Sequence, residues 1–355
     1  MQPTGHINLG IIGTGRVTLE RHIPSIRSLG DSRVRLTALA DARPGVAAQK
    51  AEELGIPYAY DDYRQLLLSD EINAVSICTP TGSHARIAID ALRAGKHVYL
   101  EKPATANEAE MREVLQAAQE SGRVFIVGSN GMLQNQMLLF KRMIERGDLG
   151  EVFNVTVTRA STRNSDGRKT RTIGGDGISM ESASHNVEWA LWLLGDPRPV
   201  SVTAVGYYQY DNLSIPASRR EQDEVDDCCL ALIQFDNGSS IMYKAQRSAV
   251  FPAEYLLDVQ GDLGLIRYDV NKCYKEKSDD CIRIYRQGPD GVISESKPMI
   301  PLGRTHAAMY RHFFQCMYEG KPSPISGGER SVVVMKVLDA IGLSMKANGR
   351  QIAIP

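Results

Sequence analysis

No hydrophobic run in this 355-residue chain approaches the roughly 18 to 20 residues that a membrane span needs. Charge bias is also missing: 41 Lys plus Arg stand against 42 Asp plus Glu, a formal net charge of -1. That balance removes the electrostatic reason to expect nucleic acid or an anionic membrane as partner. Among the six cysteines there is no C-x-x-C pair, and no His stands nearby at metal-ligand spacing. They read as thiols in a reducing compartment, with no metal expected. Adjacent Cys228 and Cys229 would face opposite sides of a strand, which argues against a redox pair. Internal repeats are absent, and the first residues lack a basic stretch followed by an apolar one. A cytoplasmic protein is expected. What remains is ordinary globular material, 43% hydrophobic and 23% charged, long enough for about two domains.

The apolar run 7–12 leads into Gly13-Thr14-Gly15-Arg16-Val17-Thr18 and then a helical pattern ending before Gly30. Strand, glycine turn and helix together suit a dinucleotide. Gly13 would permit the tight turn, Gly15 the close approach of a pyrophosphate, and the helix start its N–H groups. Thr18 stands where the fingerprint has its third glycine, so the motif is incomplete. A second β-prone run, 34–40, ends in Asp41, at the distance where a carboxylate accepts hydrogen bonds from ribose hydroxyls. Such a carboxylate repels a 2′-phosphate and favours NAD over NADP, while Arg43 offers adenine stacking or a phosphate contact.

Helical patterns over 45–54, 61–68, 83–94 and 107–120 alternate with strands over 74–78, 97–100 and 124–127. This alternation predicts a parallel, doubly wound Rossmann sheet over residues 1–128. Thr79-Pro80 and Glu101-Lys102-Pro103 then fall at carboxyl ends of strands, on the same edge as the glycine turn, where ligands bind in such sheets. Taken alone, Glu-Lys-Pro is also an ordinary solvated turn. A cis proline at 103 would fix the direction in which Lys102 leaves the strand.

Beyond residue 128 the pattern changes. Helices are expected over 134–146, 179–194, 305–318 and 328–347, and strands over 151–159, 200–208, 228–235, 240–247, 255–260, 265–270 and 281–286. Hairpin signals at Asp236-Asn237-Gly238 and Gly261-Asp262-Leu263-Gly264 imply an α+β domain over 129–355 with a large open, mainly antiparallel sheet. The last helices either stay there or pack back on the first domain. A polar passage 161–177 and a charged, solvated loop 211–227 are expected between elements. On the helix 179–194, Glu181, His185, Glu188 and Trp192 share one face apart from the apolar stripe. Glu181 and His185 are spaced for contact, and a carboxylate beside an imidazole raises its basicity and fixes its tautomer, as a general base needs.

Gly13-Thr14-Gly15, Ala40-Asp41, Cys78-Thr79-Pro80 with His84, Gly95-Lys96-His97-Val98 leading to Glu101-Lys102-Pro103, and Gly174-Gly175 leading to His185 and Trp192-Leu193-Leu194-Gly195 together resemble the glucose-fructose oxidoreductase, inositol dehydrogenase and MocA family. The likeness runs through to a closing strand over 351–354. It implies NAD or NADP, hydride transfer at a hydroxyl-bearing carbon of a sugar or cyclitol, and a dimer or tetramer built on the open sheet. By position, Lys102 matches the catalytic lysine, His185 the catalytic histidine and Glu101 the residue near the nicotinamide ribose, with Thr79, Pro80 and His84 beside the cofactor. Glu181 and Glu188 stand where many members have Asp. Asn130 precedes Gly131-Met132, where members often carry arginines near the substrate. The likeness leaves two other outcomes: a glycosidase that uses NAD transiently, and a nucleotide-binding regulator without chemistry.

Overall fold

The computed structural model describes residues 5–162, 177–207, 226–276, 278, 280–303 and 305–355. Most of the passage 161–177, with Gly174 and Gly175, and of the loop 211–227 lies outside them. The chain divides into two compact units, Met1–Leu133 with Arg304–Met335 and Gln134–Gly303 with Lys336–Pro355.

In the first unit the strands are β1 (Ile7–Ile12), β2 (Val34–Ala40), β3 (Tyr58–Tyr60), β4 (Ala74–Ile77), β5 (His97–Leu100) and β6 (Phe125–Val127). They form one parallel sheet in the order β3-β2-β1-β4-β5-β6, the doubly wound arrangement expected. β4 is buried at every position, as a central strand covered on both faces must be. Helices α1 (Ile23–Arg27), α2 (Val46–Leu54), α3 (Tyr63–Leu67), α4 (His84–Arg93) and α5 (Glu108–Ser121) connect them. α5 starts where Asn107 accepts from the Glu110 N–H at 2.9 Å and Glu110 returns to the Ala106 N–H at 3.0 Å. The helix after the glycine turn opens as a π-wound segment, Thr18–His22, a local winding that apolar spacing cannot announce.

The second unit holds α6 (Asn135–Glu145), β7 (Val152–Thr162), α7 (Ile178–Glu181), α8 (Ala183–Leu194), β8 (Pro199–Tyr207), β9 (Cys228–Phe235), β10 (Ser240–Ala249), β11 (Glu254–Gly261), β12 (Gly264–Asp269), β13 (Ile282–Gln287) and β14 (Ile293–Ser296). The chain continues through α9 (Thr305–Glu319), which belongs to the first unit, then α10 (Glu329–Lys346) and β15 (Ile352–Ala353). The second sheet runs β14-β13-β12-β11-β7-β10-β9-β8-β15. Among the described strands β7 and β10 pair in parallel and the other neighbours are antiparallel, because β7 sits between β10 and β11.

Three expectations change. The short strands β3 and β14 were not foreseen; at three and four residues they carry too little alternation to register. The helix 179–194 is two segments, interrupted at Ser182, where the Asn186 side-chain amide takes the Ser182 carbonyl at 2.9 Å. Asp226 and Asp227, expected at the end of a solvated loop, are buried. Asp226 accepts from the Ser179 N–H and hydroxyl at 2.8 and 2.7 Å, fastening the start of α7, while burial pushes its carboxyl up.

Candidate active site

Register places the first unit's candidate residues. Ala40, Ile12, Ile77, Leu100 and Val127 lie in one row across β2, β1, β4, β5 and β6. All five strands end on that row, so Asp41, Gly13, Cys78, Glu101 and Gly128 follow it along a single edge. Gly13 has φ +95°, and a Cβ there would come within 2.6 Å of the Cys78 carbonyl oxygen, so only glycine fits the turn. Thr18, in place of the third glycine, donates its hydroxyl back to the Gly13 carbonyl at 2.7 Å. Asp41 Oδ2 accepts from the Thr14 N–H and hydroxyl at 2.9 and 2.6 Å, joining β2 to the glycine turn. Arg43 is exposed and forks onto the same carboxylate, Nε to Oδ1 and Nη2 to Oδ2, both at 2.8 Å. Those Arg43 bonds, with the Thr14 donors, hold the Asp41 carboxyl well below the carboxylate range against the effect of burial.

After β5, Glu101 is buried, Lys102 is half-buried, and the Lys102–Pro103 peptide is cis. His84 is buried beneath this turn, with Nδ1 2.8 Å from the Pro103 carbonyl and Nε2 2.7 Å from the Thr79 carbonyl. Its two polar atoms thus clamp the ends of β4 and β5 and face backbone. Burial lowers its pKa. Thr79 and Asn130 are half-buried, Pro80 is exposed, and Asn130 Oδ1 accepts from the Tyr99 hydroxyl at 2.8 Å.

Glu101 has a neighbourhood that no sequence spacing announces. Its Oε1 lies 3.2 Å from His22 Nε2 and its Oε2 accepts from the Lys102 N–H at 3.1 Å. The His306 ring stands edge-on to His22 at 5.3 Å between centroids, and the ligand atoms of His22, Glu101 and His306 lie within 4.8 Å of one another. His22 Nδ1 contacts the Tyr310 hydroxyl at 2.8 Å, which contacts the Ser76 hydroxyl at 2.6 Å. Burial would push the Glu101 carboxyl up, but His22, His306 and Lys102 hold it at about 2. Burial likewise opposes a charged His22, yet Cys78, Tyr310 and Glu101 raise its pKa well above the ordinary value. Burial leaves His306 at about 4.

The second unit holds the other residues. His185 is half-buried on α8, and its Nε2 lies 3.3 Å from Nη1 of Arg159, on β7. The same Nη1 donates to the Ser182 hydroxyl oxygen at 3.3 Å. Below the guanidinium lies the Tyr255 ring at 5.3 Å; Tyr255 donates to Asn186 Oδ1 at 2.5 Å and stacks on Trp189 at 6.2 Å. Glu181, expected to orient His185 directly, accepts from Arg247 Nη2 at 2.6 Å, and the helix is interrupted at Ser182 between the two residues. Glu188, expected on that face, is buried. Arg159 and Arg247 were missed, because their signal is cross-strand: Arg159 pairs with Ala245 and Tyr255, a register that hydropathy does not supply.

The first unit's edge fits a dinucleotide. Gly15, Arg16 and Val17 are exposed, and a Cβ built on Gly15 meets nothing within 4 Å, which leaves room for a pyrophosphate at the helix start. Fold and edge define an NAD-binding oxidoreductase. Residues 7–129 match the family described as oxidoreductase, NAD-binding Rossmann fold, and residues 137–267 match the GFO/IDH/MocA C-terminal domain. A D-xylose 1-dehydrogenase (NADP(+)) of Haloferax volcanii is 32% identical over 342 residues, 94% of this chain and 95% of that one. An inositol 2-dehydrogenase of Rhizobium meliloti is 28% identical over 260 residues, 73% and 74% of the two chains. A levoglucosan dehydrogenase solved with NADH and L-sorbose superposes with TM-score 0.83 over 99% of each chain at 22% identity, a likeness of fold. The chain belongs to the glucose-fructose oxidoreductase, inositol dehydrogenase and MocA family, a dehydrogenase family. Among the described residues no helix is long and apolar enough to cross a membrane.

Proposed function

We propose that this chain is a cytoplasmic, NAD-dependent dehydrogenase moving a hydride between nicotinamide and a hydroxyl-bearing carbon of a sugar, sugar derivative or cyclitol. The observation that carries it is the edge where Gly13, Asp41 and Glu101-Lys102 follow one row of the parallel sheet. Free thiols fit a reducing compartment, and the names of the xylose and inositol dehydrogenases support the substrate class.

In this reading Gly13, Thr14, Gly15, Arg16 and Val17 hold the pyrophosphate, Asp41 and Arg43 the adenosine end, and Thr79, Pro80 and Glu101 line the nicotinamide side. His84 acts through the backbone it clamps. Bound nicotinamide supplies the hydride acceptor. Lys102 hydrogen-bonds the substrate oxygen as charge develops on it, and His185 takes its proton. Glu181 acts through Arg247, holding that cation away from the imidazole. Asn130 borders the substrate.

Lys102→Ala and His185→Ala are each expected to lower kcat about 10²- to 10⁴-fold with NADH binding retained, measured by nicotinamide absorbance and NADH fluorescence. Near-normal turnover in both would sink the mechanism. Glycoside cleavage with retained NAD and no net NADH would move the assignment to the transient-oxidation glycosidase. We also propose that the second sheet closes on another copy of the chain.

A further inference from the structure

Among the described residues of the second unit's polar cluster, Arg159 is a cation with no carboxylate partner. Its described contacts run through Nη1 alone, to the Ser182 hydroxyl and His185 Nε2, and both are neutral acceptors. No carboxylate among the described residues pairs with it, whereas Arg247 has Glu181 at 2.6 Å. The guanidinium is half-buried and held on a fixed platform, the Tyr255 ring, itself fastened by Asn186 and Trp189. The Nε–Nη2 edge of an arginine presents two parallel N–H groups, the spacing that a carboxylate accepts bidentately.

We propose that Arg159 anchors a carboxylate subsite beside His185 and that the substrate is a sugar acid, an aldonate or a uronate; this rests on the dehydrogenase reading above. Geometry narrows the class. Arg159 Nη1 and His185 Nε2 are 3.3 Å apart, so one small molecule reaches both, its carboxylate on the guanidinium's Nε–Nη2 edge and its reacting hydroxyl, a few bonds away, on the imidazole. A guanidinium N–H aimed at Nε2 occupies the lone pair that a general base uses. A carboxylate drawing Arg159 onto its Nε–Nη2 edge releases that lone pair, so acid binding and base activation are one event. Neutral sugars leave the arginine on the histidine.

The test compares D-gluconate and D-glucuronate with D-glucose and myo-inositol. The wild type, Arg159→Gln and Arg159→Lys are assayed for kcat/KM with NAD, and for gluconate and glucuronate binding by calorimetry, after thermal melting confirms that the variants fold. Expected is a wild-type preference of about 100-fold or more for an acid, lost in Arg159→Gln and partly kept in Arg159→Lys; neutral-sugar turnover does not fall in Arg159→Gln, because the freed Nε2 lone pair is then open to a neutral hydroxyl. A purely structural arginine would lower both classes by the same factor, and that result overturns the subsite. So does a wild type that turns over neutral sugars and binds neither acid. If no compound reduces NAD, the dehydrogenase reading fails separately. Calorimetry still decides the subsite, through acid binding lost or kept in Arg159→Gln.

Discussion

Both carboxylate oxygens of Asp41 are engaged inside the protein, Oδ2 by Thr14 and both by the fork of Arg43. A ribose diol that takes this carboxylate replaces the exposed Arg43 and leaves Thr14 in place. A 2′-phosphate would meet the carboxylate's charge but could recruit the arginine, so cofactor choice is a contest between adjacent residues. Asp41→Asn removes the repulsion and frees Arg43, and the NADP-to-NAD ratio of kcat/KM should rise at least about tenfold, about 1.4 kcal/mol. Steady-state kinetics with each cofactor measures this; an unchanged ratio counts against Asp41 as the ribose ligand. The place of Asp41 beside the glycine turn was legible because it follows from a spacing measured along the chain. His84 was legible as a position but not as a role, since only the fold shows both ring nitrogens turned to backbone carbonyls. His22, Glu101 and His306 were illegible as a group, because residues so far apart in sequence leave no joint pattern.

Elements emerged from the sequence where period and punctuation agreed. β1, β2, β5 and β9 begin and end as read, each a short apolar or alternating run bounded by turn residues. The helix over 179–194 was read as continuous because 3.6-residue spacing survives a one-residue interruption, while the competing hydrogen bond of Asn186 does not show in hydropathy. The β5–β6 pairing also carries a pH dependence. His97, at the start of β5, accepts the Val124 N–H on Nδ1 at 2.9 Å, which requires that atom unprotonated. Burial first, and Arg123 second, lower its pKa to about 4. The unfolded ring titrates near about 6.5, so between these values the unfolded chain binds a proton that the folded chain does not. Stability is therefore retained above about pH 6.5 and lost as pH falls toward about 4, by about 2 kcal/mol after allowance for partial exposure. Asn keeps an acceptor without the titration. His97→Asn should flatten denaturation midpoints across that window while changing stability at pH 8 by less than about 1 kcal/mol; an equally steep fall in the variant would assign the acid loss elsewhere.

At the scale of the whole molecule, the second sheet presents two unequal faces. Along β9, Cys229, Ala231, Ile233 and Phe235 are buried while Leu230 and Leu232 are 37% and 38% exposed. On β10, Ile241, Tyr243 and Ala245 are buried while Met242 is 53% exposed and lies directly opposite Leu232. Tyr207 on β8, in the same row, adds further exposed apolar surface. The buried rows include neighbours of α7 and α8, and among the described residues no helix has that relation to the outward rows. Contiguous apolar area of this kind marks an interaction surface, and a flat sheet face is self-complementary about a two-fold axis. A stable dimer requires about 1,600 Å² of total buried surface, within reach of a sheet this broad. Wild-type protein should therefore sediment as a dimer or tetramer. Leu232→Glu with Met242→Glu places like charges on cross-strand partners at the centre of that face, and the double variant should sediment as a monomer at micromolar concentration. Neither residue belongs to the proposed site, so NADH binding should change less than about threefold, under 0.7 kcal/mol. An unchanged sedimentation coefficient would show that any assembly uses a different surface, and a monomeric wild type would show that this face stays open.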